Sequence, residues 1–342
     1  MATNRISKLK NRRTDVILKA DALNEAYSSI KEDDAVKYAI GAMQPIDNTY
    51  TRICMEEGER VKNQLISGLN KEVTVAEFEY QGSVTNNTHI RVHSDIDLLT
   101  LHSDFFTLEP PAAPKNRYPG DSLAELKKLR KDAVFVLGKA FPEVDVNSSP
   151  GKAIRLTGGS LRRKIDVVIG NWWDTVQYQN TRVSYERGVS ILDTANDQRI
   201  NNKPFLHNQR IDVRDIENNG NLRKVIRLLK SLKYDADNEL NISSYDITAI
   251  AYSMPNSYLY TTYGHELILV ENTRRWFLHL IENEQARLSL YVPNQTRKIF
   301  GIGGASLAGL KELFAELQDL INDVTNGLAR SFKKLEEARI LY

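Results

Sequence analysis

Cysteine is nearly absent: Cys54 is the only one in 342 residues. One thiol cannot close a disulfide within the chain, and it excludes any zinc site that needs two or more thiolates. Long hydrophobic runs are missing too. No stretch approaches the ~18 consecutive apolar residues of a membrane-spanning helix, so no span is expected. Residues Met1 to Arg13 are basic but lack an apolar h-region, which argues against a secretory signal. Nor is there an excess of one charge. Lys and Arg number 46 and Asp and Glu 44, so 46 − 44 leaves +2. A chain so balanced does not read as a dedicated nucleic-acid coat, although a local basic groove stays open. What is present is the composition of a soluble globular protein, 41% hydrophobic and 26% charged. At ~150 residues per domain the length suits two domains or one bilobed one, large enough to bury a core without staples. The expected setting is the cytoplasm.

Hydrophobic spacing gives the organisation. Asp33 and Asp34 are placed to cap a helix that Pro45 ends or kinks, and a helical pattern also runs over Asp15–Lys31. Ile46, Tyr50, Ile53, Val61, Leu65 and Leu69 then follow helical spacing towards a stop at Gly68–Asn70. Thr74–Tyr80 and Ser94–Thr100 read as strands, and Asp121–Gly138 as a helix. Ala153–Leu156 and Lys164–Ile169 read as a hairpin around Gly158-Gly159. Beyond residue 200 the pattern turns helical, with Asn221–Tyr234, Ser243–Ser253, Leu267–Ile281 and Leu307–Tyr342 as the candidates.

One ordered set of residues carries chemistry. Gln81-Gly82-Ser83 follows the first strand, and after eleven intervening residues comes Asp95-Ile96-Asp97. Residues i and i+2 of a strand share a face, so Asp95 and Asp97 project together. Adjacent carboxylates repel and need cations; hard divalent ions with oxygen ligands, above all Mg²⁺, answer that need. A Gly-Ser turn lets backbone N–H groups and a hydroxyl approach phosphate oxygens. Asp166 stands inside the apolar strand Ile165–Ile169, where an unpaired carboxylate is costly and a metal or other partner is expected. Taken singly, an Asp-x-Asp is usually a solvated strand edge, and a Gly-Ser says almost nothing. The order of the parts is the signal.

That set resembles the DNA polymerase β-like nucleotidyltransferase superfamily, whose pattern is hG[GS]…DhDh followed by a later carboxylate strand. Leu228-Leu229-Lys230-Ser231-Leu232-Lys233 and Ile242-Ser243-Ser244-Tyr245-Asp246 are similar to the helical lobe of the cGAS/DncV-like nucleotidyltransferases, bacterial relatives of cGAS and of the oligoadenylate synthetases. The resemblance covers roughly residues 35–290. It implies an α+β fold: a polymerase β-like core of mixed sheet with flanking helices, plus a helical C-terminal lobe. The catalytic lobe would span residues 1–205, including a long N-terminal helix. The lobe closing the nucleotide cleft would span 206–342. By the same resemblance Asp95, Asp97 and Asp166 hold two Mg²⁺, with Mn²⁺ as a substitute. Gln81, Gly82 and Ser83 meet the donor triphosphate, Lys230 and Ser244 reach phosphates, and Tyr245 stacks on a base. The implied reaction joins NTPs, ATP and/or GTP, into a cyclic di- or trinucleotide for anti-phage defence. A regulatory protein partner from the same operon and a separate effector that responds to the product come with it.

Two other readings stay open. One is a template-independent RNA or tRNA nucleotidyltransferase of the same superfamily. The other is a catalytically inactive nucleotide-binding relative, against which the three intact acids argue. The His/Cys zinc module with which vertebrate cGAS grips DNA cannot be built from one cysteine, so no obligatory nucleic-acid activator is expected. Lesser features have bland explanations. Gly301-Ile302-Gly303-Gly304 reads as a helix-entry loop, and His89 and His93 as loop or surface residues. Arg223, Arg227 and Lys230 would by default form a solvated helix face.

Overall fold

A computed structural model of the protein describes residues 2–15, 20–21, 33–72, 74–112 and 118–340. The principal helices are α1 (Ala2–Arg13), α2 (Asp34–Met43), α3 (Asn48–Lys71), α4 (Ser122–Ala140), α5 (Pro204–Glu217), α6 (Asn221–Asp235), α7 (Ser244–Tyr252), α8 (Leu267–Glu282) and α9 (Leu307–Ile340). The strands are β1 (Ala76–Gln81), β2 (Ile96–Leu108), β3 (Asp145–Asn147), β4 (Ile154–Thr157), β5 (Ile165–Asp174), β6 (Gly188–Asp193) and β7 (Gln198–Asn202). The chain divides into two compact units: Asp47–Asn86 with His93–Arg210, and Met1–Ile46 with Asn87–Val92 and Ile211–Tyr342.

The first unit holds a mixed sheet in the order β1-β2-β5-β4-β3. Strand β5 is shared along one edge: β4 pairs with Ile165–Val167, and β6, itself paired with β7, takes Gly170–Trp173. Strands β2 and β5 run parallel and the other pairs antiparallel. The period-2 alternation sorts the two faces. Ile96 and Leu98 of β2, with Ile165, Val167 and Ile169 of β5, are buried in one cluster with Val61, Leu65 and Leu69 of α3 and Leu126, Leu129 and Leu137 of α4. Each such side chain contributes roughly 1.5–3 kcal/mol when fully buried. The residues between them, Leu99 and Leu101 of β2 and Val168 of β5, form a smaller cluster with Val189 on the opposite face. Helix α4 starts where Asp121 caps it, its Oδ1 accepting from the amides of Leu123 and Ala124 at 2.9 and 3.3 Å. The expected hairpin is present as β4 and β5. Its turn needs glycine: Gly159 has φ +57°, and a Cβ there would lie 2.3 Å from the Glu143 carbonyl oxygen.

The second unit is helical. Ile6 and Leu9 of α1 and Tyr38, Ala39, Ala42 and Met43 of α2 share one core with Leu222, Val225, Ile226 and Leu229 of α6, Ile247 and Ile250 of α7, Phe277 of α8 and Leu313 of α9. The described residues up to Ile46 therefore fold with the helical unit, whereas the lobe expected from sequence over 1–205 includes them. The reason is this shared core, tied further by Arg12 and Tyr38, which both bond the buried carboxylate of Asp235 at the end of α6. Segment Asn87–Val92 joins the same unit. Its backbone accepts from Arg12, Arg227 and Lys230, and the Val92 amide donates to the Arg12 carbonyl at 3.2 Å.

Helix α2 starts at Asp33, whose side chain accepts from the Ala35 amide, and ends before Pro45 as expected. The helix expected over Asp15–Lys31 lies largely outside the described residues. What is described there is a short antiparallel pairing of Thr14–Asp15 with Ala20–Asp21. Among the described residues no helix is long and apolar enough to cross a membrane.

Candidate active site

The three acids come together by register. Strand β2 pairs Asp97 with Asp166 of the parallel neighbour β5, and with Gln81 of β1 on its other side. Asp95 immediately precedes β2, two residues from Asp97. Ile96 and Leu98 take the face under α3 and α4, so the alternation sends Asp95, Asp97 and Asp166 to the other face. Their exposure is graded. The side chain of Asp95 is 36% exposed and that of Asp166 only 14%.

This crowding has an electrostatic result. Burial first, then the charges of Asp166 and Asp95, push the Asp97 carboxyl up from 3.8 to about 7, and Lys164 offsets part of the shift. Lys164 lies among the acids: its Nζ is 2.7 Å from Asp95 Oδ2 and 3.2 Å from Asp166 Oδ2. Burial works against that ammonium, but the bonds and charges of Asp95 and Asp166 outweigh it and raise the Lys164 pKa. Arg155 of β4, opposite Asp166 in register, donates from Nε to Asp166 Oδ1 at 3.3 Å.

Gly82 closes the site at the end of β1. Its φ is +93°, and a Cβ there would sit 2.2 Å from Asp97 Oδ2. The Gln-Gly-Ser turn and the Asp-x-Asp strand thus meet at one glycine, where any side chain would have to displace the Asp97 carboxylate. After the half-buried Ser83, the turn is held by Thr85, whose hydroxyl donates to the Gly82 carbonyl at 2.9 Å, and by Asn208, which donates to the Thr85 hydroxyl and accepts from Asn86.

The loop into β5 is anchored by residues that sequence reasoning passed over. Glu57 of α3 has a wholly buried side chain. It accepts from Arg162 Nε at 3.0 Å and from Arg60 at 2.8 Å, and Arg60 also donates to the Ser160 carbonyl. Arg163 donates to His93 Nδ1 at 2.9 Å. The run Arg162-Arg163-Lys164 therefore sends three cations to three different partners: Glu57, His93, and the Asp95/Asp166 pair. The basic triplet directly before an acid-bearing strand is visible in the sequence, but the partners of its three cations are not. His89, expected in a loop or on the surface, is 1% exposed within the helical unit.

Lys230, Ser244 and Tyr245 lie in the helical unit. Arg227 and Lys230 do not form a solvated face, being 4% and 9% exposed. Lys230 donates to the Thr88 carbonyl at 2.8 Å, and Arg227 donates to the carbonyls of Met43 and Asn87. Burial, followed by repulsion from Arg227 and Arg91, lowers the Lys230 pKa to about 8. Arg223 instead pairs with Asp212 and Asp215. Ser244 is the exposed first residue of α7, after the cap Ser243, whose hydroxyl accepts from the Asp246 amide. The Tyr245 hydroxyl donates to Asn294 at 3.1 Å, and the Arg297 guanidinium stands 5.3 Å from the Tyr245 ring centroid while pairing with Asp246. Gly301–Gly304 is a loop entering α9, as expected.

The donor set of Asp95, Asp97 and Asp166 suits a hard divalent cation: all donors are carboxylate oxygens, and the repulsion from Asp166 and Asp95 that adds to burial in lifting Asp97 is what such an ion relieves. Among the described residues no three His, Cys, Asp or Glu side chains form a ready cage.

Comparison with known proteins bears on the family and the fold. The family model for the cGAS/DncV-like nucleotidyltransferase C-terminal helical domain matches residues 209–322. A cyclic dinucleotide synthase CdnE of Yersinia aleksiciae is 38% identical over 308 residues, covering 88% of this chain and 78% of that protein. A c-di-GMP synthase of a Lachnospiraceae bacterium is 31% identical over 71% of this chain and 76% of its own length. The solved structure of a STING-associated CdnE c-di-GMP synthase from Capnocytophaga granulosa superposes with a TM-score of 0.76 at 29% identity, over 95% of this chain and 99% of that one.

Proposed function

We propose, for a chain that belongs to the cGAS/DncV-like nucleotidyltransferases, that it joins two nucleoside triphosphates into a cyclic dinucleotide with GTP as a substrate. The enzyme class follows from membership. Guanosine as the base is our reading, supported by relatives named c-di-GMP synthases. The observation that carries the chemistry is the convergence of Asp95, Asp97 and Asp166 on one sheet face against Gly82.

In the proposed reaction a ribose hydroxyl oxygen of one nucleotide attacks the α-phosphorus of another. The new P–O bond forms as the bond to the β-phosphate breaks, pyrophosphate leaves, and the hydroxyl proton passes to water. A second such transfer closes the ring and releases a second pyrophosphate. Mg²⁺ held by the three acids would supply charge neutralisation at the phosphates and a more acidic attacking hydroxyl. The chain's own residues orient the parts. Asp95 and Asp97 present carboxylates from one strand, and Asp166 from its neighbour. Gly82 keeps the backbone low enough for a triphosphate to approach, with Gln81 and Ser83 beside it. The same proposal gives Lys230, Ser244 and Tyr245 to nucleotide binding, and places the product in anti-phage signalling with an effector and a regulatory protein partner.

The test is purified, nuclease-treated protein with Mg²⁺ and each NTP alone and in pairs, followed by mass spectrometry and linkage-specific nuclease digestion. A phosphatase-resistant cyclic dinucleotide containing guanosine is expected, lost in Asp95→Asn and Asp97→Asn. Extension of an added RNA would instead favour the RNA nucleotidyltransferase reading. Absence of pyrophosphate release with all four NTPs would favour an inactive relative.

A further inference from the structure

Lys164 holds a place in the acid cluster that the reaction proposed above does not use. It is two residues before Asp166, so the strand alternation puts both on the same face. Its ammonium bridges the strands, 2.7 Å from Asp95 Oδ2 and 3.2 Å from Asp166 Oδ2. The other cation at the cluster, Arg155, touches Asp166 alone, and its side chain is 44% exposed against 25% for Lys164. Arg162 and Arg163, the two preceding cations, are bound to Glu57 and His93. Lys164 is therefore the member of the triplet that turns to the acids.

Charge arithmetic makes that position conflict with a bound metal. With all three carboxylates ionised, as cation binding requires, the acids together with Lys164 and Arg155 sum to −3 + 2 = −1. Two divalent cations would bring the cluster to −1 + 4 = +3 with both side chains in place. Like charges packed within a few ångströms in a half-buried site repel by kilocalories. The flexible four-carbon stem of a lysine, already a quarter exposed here, gives the cluster a way to shed one of them.

We propose that Lys164 is a built-in counter-ion for the metal-free site: it occupies the bridge between Asp95 and Asp166, competes with the divalent cation for those oxygens, and swings out when the cation binds. This inference rests on the metal-dependent reading of the acids. Its consequences are two. The metal-free protein avoids the full repulsion of three clustered carboxylates, and the cation concentration at which the site loads is set higher than the acids alone would set it.

The experiment is titration of Mg²⁺ and Mn²⁺ into the full chain by calorimetry without nucleotide, paired with thermal melts in EDTA. The proteins are wild type, Lys164→Met, Lys164→Gln, Lys164→Arg and Asp97→Asn. Lys164→Met and Lys164→Gln are expected to bind the cation at least about tenfold more tightly and to melt at lower temperature in EDTA, with the loss recovered on adding the cation. Lys164→Arg keeps the charge and should stay near wild type in both measurements. Unchanged or weaker cation binding by both neutral variants overturns the proposal and makes Lys164 a support of the metal-bound site. Asp97→Asn separates the two levels. If it binds the cation as wild type does, the metal reading of the acids falls, and this inference with it. If it binds weakly while the neutral Lys164 variants stay unchanged, the inference about Lys164 falls alone.

Discussion

Gly82 and Asp97 show how closely two short motifs are joined. A methyl group at position 82 would have to displace the Asp97 carboxylate, and would do so at a φ of +93° that side chains rarely adopt. Backbone strain of this kind costs roughly 1–3 kcal/mol. Gly82→Ala is therefore expected to lower kcat by about ten- to a hundredfold, measured as pyrophosphate release, with a drop of only a few degrees in melting temperature. Asp97 supports a second expectation. Its folded-state pKa, about 7, lies above its ordinary 3.8. The native metal-free protein thus holds this proton more tightly than the unfolded chain does. Above pH 7 the ionised carboxylate destabilises the fold, and as pH falls from 7 towards 4 that penalty disappears. In EDTA at pH 8, Asp97→Asn should be more stable than wild type by on the order of 2–4 kcal/mol. The gap should close by pH 4, and excess Mg²⁺ should reverse the order; urea titrations at the two pH values would read it. The acids and the Gly-Ser turn were legible because their chemistry is written in residue types at short spacing. Lys164 was not, since a lysine beside an acid is ordinary in sequence and only the β2/β5 register makes it a bridge. The burial of Lys230 was hidden for a related reason: its partner, the Thr88 carbonyl, is a backbone atom 142 residues away.

The elements with clean periodicity, α3, α4, α6 and the β4/β5 hairpin, could be read from the chain to within a few residues. Helix α1 could not, and its chemistry explains why. It reads as a basic polar stretch, yet Arg5, Arg12 and Arg13 are buried, the first two against Glu316 and Asp235 and the third on the carbonyls of Gln44 and Pro45. Hydrophobic patterning cannot show a face that is buried through ion pairs. The side chains of Arg12 and Asp235 are 2% and 1% exposed, and Tyr38 bonds the same carboxylate at 2.8 Å. Arg12→Met leaves that charge without its main partner and should cost about 3–5 kcal/mol. The double variant Arg12→Met/Asp235→Leu should recover part of the loss in denaturant titrations. A double variant as unstable as the single would show that the pair's geometry, and not the orphaned charge, sets the cost. Strands β6 and β7 were missed for another reason: both are short, and their ladder lies against a strand whose N-terminal half already pairs with β4. Likewise the parallel β2/β5 contact, which brings Asp97 beside Asp166, joins strands far apart in sequence and leaves no local trace.

At the scale of the whole chain, the helical unit is assembled from both ends. A fragment of residues 206–342 would lack Ile6, Leu9, Tyr38, Ala39, Ala42 and Met43, all buried in its core. It is expected to melt without a cooperative transition, whereas the same fragment with residues 1–46 fused through a flexible linker should regain one in calorimetry. A cooperative melt of 206–342 alone would restore the simple split that the sequence suggested. The division also bears on how such proteins can diversify. The chain passes between the units after residues 46, 86, 92 and 210. No single crossover between two related genes can exchange one unit intact for its counterpart, because the helical unit has segments on both sides of the sheet unit and every cut between the units divides it. Descendants of this architecture must change by point substitution within each unit, or by recombination events that replace several segments together.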